Sequence, residues 1–396
     1  MPTSSSSGQS STFKNILLIA GIVLIAVNLR PAIAGVAPLV GMIRAATGLS
    51  NGILGLLTTL PLIAFGVISA LTSLFSRRIG IERTLALALV LLTAGCLLRV
   101  ISASWALFGG TILLGIGIAF GNVLLPSLVK RDFPHHSGLM TSVYSSVLGA
   151  GATLAAGFSV PLAQHLGWNW ALGVWGFLSL FALIIWLPQL QDLTLPRHRR
   201  SFLDSLKELA ESKRAWQVTL FMGLQSFTFY VILAWLPEML QSHGLNASRA
   251  GWMLSLSQGM GILGSLLIPT LAEKMKDQRI LVWPLMIFEA ISLGGLMLAE
   301  PLWTSLWVSL IGFALGGSFG LSLLFIVLHS NDPGGATELS SMAQSIGYLL
   351  AAAGPALIGA IHDWTHAWFV PLLFLFGILI IKLIMGLGAS RAQKTA

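Results

Sequence analysis

The sequence predicts an all-α membrane protein of twelve transmembrane helices arranged as two six-helix repeats. Three observations predict it: too little charge for water, twelve apolar runs of spanning length, and self-similarity at an offset near half the chain. Of 396 residues, 55% are hydrophobic and 9% charged, whereas a soluble domain carries charges at about 25%. Polar surface is too scarce to cover so much apolar surface, and lipid is its natural solvent. A cytosolic enzyme, a secreted disulfide scaffold and a nucleic-acid-binding domain are excluded. The net charge of +8 does not restore the last of these, because the basic residues sit in short loops between apolar runs. The single cysteine, Cys96, permits no intramolecular disulfide.

Crossing roughly 30 Å of hydrocarbon at 1.5 Å per residue takes about 20 residues. Spans are expected over 15–43, 51–76, 84–101, 105–129, 138–164, 170–188, 215–241, 249–272, 280–299, 303–329, 338–362 and 367–388. These runs of Leu, Ala, Ile and Gly do not alternate as β-barrel strands do. Cytoplasmic loops retain Lys and Arg, and with the N-terminus inside, eighteen of the 22 basic residues fall on that side. They include Arg77 and Arg78, Lys130 and Arg131, the cluster from Arg197 to Arg214, and Lys382. Arg44, Arg99 and Arg249 fall outside, and Arg30 lies within span 1. Both termini are therefore expected in the cytoplasm. A cleaved leader is not expected: Arg30 and Pro31 interrupt the run, and its removal would leave eleven spans.

The expected organisation is a Ser-rich disordered cytoplasmic tail over 1–14, a six-helix bundle over 15–188, a cytoplasmic linker over 189–214, a second six-helix bundle over 215–388 and a cytoplasmic tail over 389–396. Leu203, Leu206 and Leu209 among Asp204, Lys207, Glu208 and Glu211 make part of the linker a short amphipathic helix. At an offset of 199, Pro38 meets Pro237, Pro134 meets Pro333, Gly117 and Gly121 meet Gly316 and Gly320, and Ser142 and Ser146 meet Ser341 and Ser345. Glycines four apart let helix backbones approach closely. Two parallel repeats joined by a cytoplasmic linker resemble the major facilitator architecture, whose substrate site lies near the membrane midplane between the halves.

Candidate function centres on polar residues inside the spans. Asn28-Leu29-Arg30-Pro31 begins about 21 Å past Lys14, too deep for easy snorkelling. A guanidinium there costs at least a few kcal/mol. It needs either a protein carboxylate or a substrate bearing electron-rich oxygen, and the second reading is preferred. Pro31 removes a backbone hydrogen bond, which kinks the helix and frees a carbonyl. Glu289, the acid near the middle of a span, belongs to span 9, which resemblance to the major facilitator architecture places on the bundle's outside. It reads first as a protonated or locally hydrogen-bonded acid and second as a proton-coupling residue. Asn122, Tyr144, Gln225, Gln344 and Tyr348 are further substrate-binding candidates, with Gln344 and Tyr348 four apart on one helix face. Each is equally able to bridge helices. No metal-ligand spacing, phosphate-binding glycine loop or catalytic triad is present, so no cofactor, metal or enzymatic activity is expected.

Three blocks carry a family resemblance: Asn28-Leu29-Arg30-Pro31 with Ala37-Pro38-Leu39; Gly121-Asn122-Val123-Leu124-Leu125-Pro126 with Lys130-Arg131-Asp132-Phe133-Pro134; and Met342 to Leu349. They resemble the cyanate and 2-nitroimidazole transporter family (CynX/NimT) of the major facilitator superfamily, and Trp216 to Phe221 brings the chain nearer the nitroimidazole branch. The resemblance implies a bacterial inner-membrane secondary transporter, an exporter in that branch. The alternatives are uptake of cyanate or another small anion, and a non-transporting membrane sensor. Its expected partners are a small-molecule substrate, the bilayer and protons, without nucleic acid, and the chain is expected to act as a monomer. Two departures stand out. Arg77 occupies the loop position where an Asp of the superfamily's cytoplasmic gate is usual, and the Gly-Pro element of drug/proton antiporters is missing from span 5, Gly354-Pro355 lying in span 11 instead.

Overall fold

The structure, a computed structural model, describes residues 6–49, 51–191, 202–298 and 303–390. In chain order the α-helices are α1 (Ser6–Asn28), α2 (Pro31–Ala34), α3 (Val40–Thr47), α4 (Asn51–Ile79), α5 (Ile81–Leu98), α6 (Ser104–Asp132), α7 (Ser137–Leu166), α8 (Trp168–Gly173), α9 (Trp175–Trp186), α10 (Phe202–Glu211), α11 (Lys213–Ser242), α12 (Ala247–Glu273), α13 (Arg279–Leu298), α14 (Thr304–Leu328), α15 (Pro333–Thr365) and α16 (Phe369–Ala389). Among the described residues there is no strand, and twelve helical spans are long and apolar enough to cross a membrane. They coincide with the twelve expected runs. Span 1 is assembled from α1, α2, a 3-10 turn at Ala37–Leu39 and α3; span 6 combines α8, α9 and a 3-10 turn at Leu187–Gln191.

Helix ends follow local chemistry. Ser212 caps α11 by accepting from the Ala215 amide, Asn246 caps α12 through the Arg249 amide, and Asp332 caps α15 through the Gly335 amide with Pro333 at the first helical position. Gly80, with φ 88°, makes the tight turn from α4 to α5 that a side chain would strain. One expectation fails at the N-terminus: α1 begins at Ser6, within the stretch expected to be a disordered tail. The apolar span supplies the helix nucleus, and extending a formed helix costs far less than starting one. In the linker, α10 occupies the position of the expected amphipathic helix, while the side chains of Leu203 and Leu206 fall outside the described set.

Contacts group the chain into two compact units. The first comprises Met1–Pro61, Leu74–Leu125 and Ala150–Arg197; the second comprises Leu62–Ser73, Pro126–Gly149 and His198–Ala396. In the first unit α6 packs on α5 at Gly117, where an added Cβ would lie 2.6 Å from the Ala88 carbonyl oxygen. Trp186 fills the space beside Gly21 and donates its indole N–H to the Glu82 carbonyl at 3.0 Å.

In the second unit α12 and α14 approach closely. A Cβ on Gly316 would stand 1.9 Å from the Gly261 carbonyl oxygen, one on Gly312 2.0 Å from that of Ser257, and one on Gly264 2.2 Å from that of Phe313. Gly223 of α11 and Gly347 of α15 likewise face each other. The first half of α7 lies along α12 through hydroxyls: Ser142 and Thr270 share a 2.8 Å hydrogen bond and Ser146 and Ser265 one of 3.2 Å. Glu273 accepts from Ser137 Oγ at 3.2 Å and from the Leu139 amide at 3.3 Å.

Lys382 had been assigned to the cytoplasmic side, yet it is fully buried inside α16 and forms an ion pair with the equally buried Glu289 of α13. Lys382 lies about 10 Å before the end of α16, and an ammonium that far inside needs an opposite charge. Glu289 supplies it, and Lys382 Nζ donates to Glu289 Oε2.

Two stability predictions follow from this packing. Gly316→Ala, which forces a methyl into the Gly261 carbonyl, is expected to cost about 1–3 kcal/mol. Gly41→Ala, with nothing within 4 Å of the new methyl, should leave thermal unfolding in detergent unchanged or slightly improved. Lys382→Met should cost about 3–5 kcal/mol by stranding a buried carboxylate, and adding Glu289→Leu should recover most of that loss. Unfolding midpoints of the single and double variants measure it; equal stability of all of them would refute a charged pair.

Candidate functional site

In the first unit the candidate residues lie where span 1 breaks. The helix α1 stops at Asn28, Leu29 and Arg30 form a turn, and α2 starts on Pro31, which has no N–H to continue the ladder. The Arg30 carbonyl accepts from the amides of Ile33 and Ala34 at 3.1 and 3.0 Å, so Arg30 is the N-cap of α2. This is the kink expected from Pro31. Asn28 is buried, and its Nδ2 donates to the carbonyls of Leu24 at 2.7 Å and Leu178 at 3.4 Å. Because both partners accept only, the amide orientation is determined, and Asn28 has only Oδ1, an acceptor, to offer a ligand.

Glycines bring the neighbouring helices up to the break. A Cβ on Gly151 of α7 would lie 2.6 Å from the Val27 carbonyl oxygen, and one on Gly121 of α6 2.6 Å from Leu29 Cδ2. Gly121 adjoins Asn122, so the first unit brings Asn28, Arg30 and the α6 turn carrying Asn122 to one level. Asn122 is buried and Arg30 half-buried.

The second unit holds the other candidates. Tyr144 on α7 and Tyr348 on α15 are both buried. The Tyr348 ring meets Phe65 edge-on at 5.1 Å. Gln225 donates from Nε2 to the Leu315 carbonyl at 3.1 Å and accepts from Ser226 Oγ at 3.1 Å, while Gln344 donates to Ser340 Oγ at 3.1 Å. Gln225 thus bridges α11 to α14, the equal alternative for it, whereas the Gln344 hydrogen bond to Ser340 stays within α15. Trp235 donates to the Pro355 carbonyl at 2.9 Å and packs on Trp368. Glu289 is engaged with Lys382.

Of the seven substrate-binding candidates, Arg30 alone keeps appreciable exposure. Sequence reasoning missed Arg99. It was counted among the outward-facing charges because it ends an apolar run, but it is fully buried and donates to the carbonyls of Ala32 and Leu172. The available signal was the kink itself, since a freed carbonyl in lipid requires a donor.

The profile of the Major Facilitator Superfamily matches residues 16–355. An uncharacterized transporter of Bacillus subtilis, YycB, is 46% identical over 94% of this chain and 93% of its own. The 2-nitroimidazole transporter of Escherichia coli is 43% identical over 96% of both chains. Among solved structures, the human organic anion transporter MFSD10 superposes with a TM-score of 0.75 at 15% identity, covering 93% of this chain and 99% of that one. The match to the family profile and the extent of sequence identity make this a multi-pass membrane transporter, not an enzyme: the chain belongs to the major facilitator superfamily and, within it, to the cyanate and 2-nitroimidazole transporter family.

Proposed function

We propose that this transporter carries a small, planar, polar solute of the 2-nitroimidazole type out through the bacterial inner membrane by alternating access, with Arg30 and Asn28 as its central ligands. The observation that carries the reading is the polar pair at the break of span 1. There a half-buried guanidinium stands two residues from an amide whose Nδ2 is already engaged. A nitro group offers two partly negative oxygens to the guanidinium fork, and the imidazole ring N–H finds an acceptor in Asn28 Oδ1. Asn122, Tyr144, Gln225, Gln344 and Tyr348 form a second tier that touches substrate only after rearrangement, since all five are buried here.

A second reading, uptake of cyanate or another small anion, is supported by the guanidinium alone. Cyanate carries no N–H for Asn28 Oδ1, and this weighs toward the nitroimidazole. Alternating access needs contacts that close and reopen at modest cost. The hydroxyl seam of α7 on α12 suits that need, at about 0.5–1.5 kcal/mol per hydrogen bond. Glu273 at its end caps α7, a contact that takes the place of the missing loop Asp in our reading. The termini are placed in the cytoplasm and the working unit is a monomer. Protons are the proposed driving ion, although the Lys382 pairing makes Glu289 a structural acid before a coupling one.

The test is transport in proteoliposomes of 2-nitroimidazole, cyanate and a panel of small acids, with and without a pH gradient. Arg30→Ala is expected to lower transport of 2-nitroimidazole at least tenfold, and Asn28→Asp to weaken it less. Undiminished transport by Arg30→Ala would overturn the assignment, and counterflow by the native protein with cyanate alone would favour the second reading.

A further inference from the structure

We propose that Arg99 is a positioning residue for Arg30: its buried guanidinium staples the broken part of span 1 to the end of α5 and so sets where Arg30 stands. This rests on Arg30 being a substrate ligand. Arg99 follows α5 directly and has no exposed surface. Its Nη1 donates to the Ala32 carbonyl at 2.9 Å and its Nη2 to the Leu172 carbonyl at 3.4 Å.

Both carbonyls lie where helices are interrupted. In a continuous α-helix the Ala32 carbonyl would accept from the Val36 amide, but that amide turns to Ile33 instead, at 3.1 Å. Leu172 stands in the last turn of α8, just before the break to α9. One guanidinium fork thus reaches two interrupted helices, a geometry that a point-like ammonium cannot reproduce. The fold also clears room for it: a Cβ on Gly110 of α6 would lie 2.7 Å from Arg99 Cγ.

Stability alone explains this poorly. A charge held by carbonyl dipoles is costly to bury, and an apolar side chain in its place is often neutral or better. What the arrangement fixes is the path of the chain two residues beyond Arg30. Reacting or binding groups displaced by about 1 Å lose much of their effect, so fixing that path is worth the burial.

The experiment uses the full chain in detergent and in proteoliposomes, with 2-nitroimidazole as the probe. Equilibrium binding, transport KM and Vmax, and melting temperature are measured for the native protein, Arg99→Met, Arg99→Lys, Arg30→Lys and the double variant Arg99→Met/Arg30→Lys. Positioning predicts that Arg99→Met weakens binding and raises KM about tenfold. Arg99→Lys, which still reaches the Ala32 carbonyl, should recover part of that loss. In the Arg30→Lys background Arg99→Met should add less than twofold, because the residue it positions is already compromised.

A lowered melting temperature with unchanged binding, or an equal loss in both backgrounds, makes Arg99 purely structural and overturns the proposal. If Arg99→Met does not fold, Arg99→Lys carries the test: native-like binding together with a lower melting temperature overturns the proposal. If Arg30→Lys binds as well as the native protein, it is the assignment of Arg30 that fails. Weakened binding by Arg30→Lys beside native binding by a folded Arg99 variant refutes only the positioning role.

Discussion

A helix broken inside a hydrocarbon slab must find donors for the carbonyls it releases, and the first unit is organised around that need. Pro31 and Pro38 cannot donate, and the chain between α1 and α3 proceeds through a turn, one short helix and a 3-10 turn. Water supplies donors at such a break in a soluble protein, but here protein must. Arg99 satisfies Ala32 from α5, Asn28 ties the end of α1 to α9, and glycines on α6 and α7 let neighbouring backbones close over the break. The residues proposed as ligands in span 1 are held by the same contacts that make its break tolerable.

Elsewhere the bundle follows the economy of packing in lipid. Hydrophobic transfer does not draw one helix to another when lipid tails are as apolar as leucine, so close approach and small-residue contact must do so. The α12–α14 crossing, with glycine Cα atoms against carbonyls, makes a seam that tolerates no added methyl. The α7–α12 seam uses short hydroxyls, each bonded over roughly 3 Å and each able to turn back to its own helix when the partner leaves. The first seam is rigid because it is steric. The second is reversible because each hydroxyl has somewhere else to bond.

Much of this was legible in the sequence. The twelve spans follow from apolar run length, the kink from Pro31, and the packing glycines from their spacing in spans 4 and 10. The residues misread were those whose environment depends on tertiary partners. Lys382 and Arg99 sit close enough to span ends to pass for loop charges, and only the placement of Glu289 beside α16, or of two interrupted helices beside α5, reveals them as interior. The start of α1 at Ser6 was missed for a related reason: serines read as disorder locally, but a helix already nucleated downstream extends through them. Gln225 fits a cavity or a helix bridge equally well by sequence, and its hydrogen bond to the Leu315 carbonyl makes it a bridge.

The buried charges also differ in what they leave behind. Glu289 and Lys382 cancel, so their pair holds α13 to α16 and projects little field. Arg99 donates to two backbone carbonyls, and carbonyl dipoles do not remove its unit charge. Among the described residues of the first unit there is a single acid, Glu82 in the first turn of α5, about 25 Å along that helix from Arg99. At that separation a carboxylate does little to offset a charge at the opposite end of the span. Among the described residues of the first unit, Arg99 therefore has no carboxylate beside it, which in the proposed reading favours an anion or a strongly polarised group such as nitro over a cation. In the proposed reading the donor at Arg30 sets orientation, and the acceptor at Asn28 decides between a ligand with an N–H and one without.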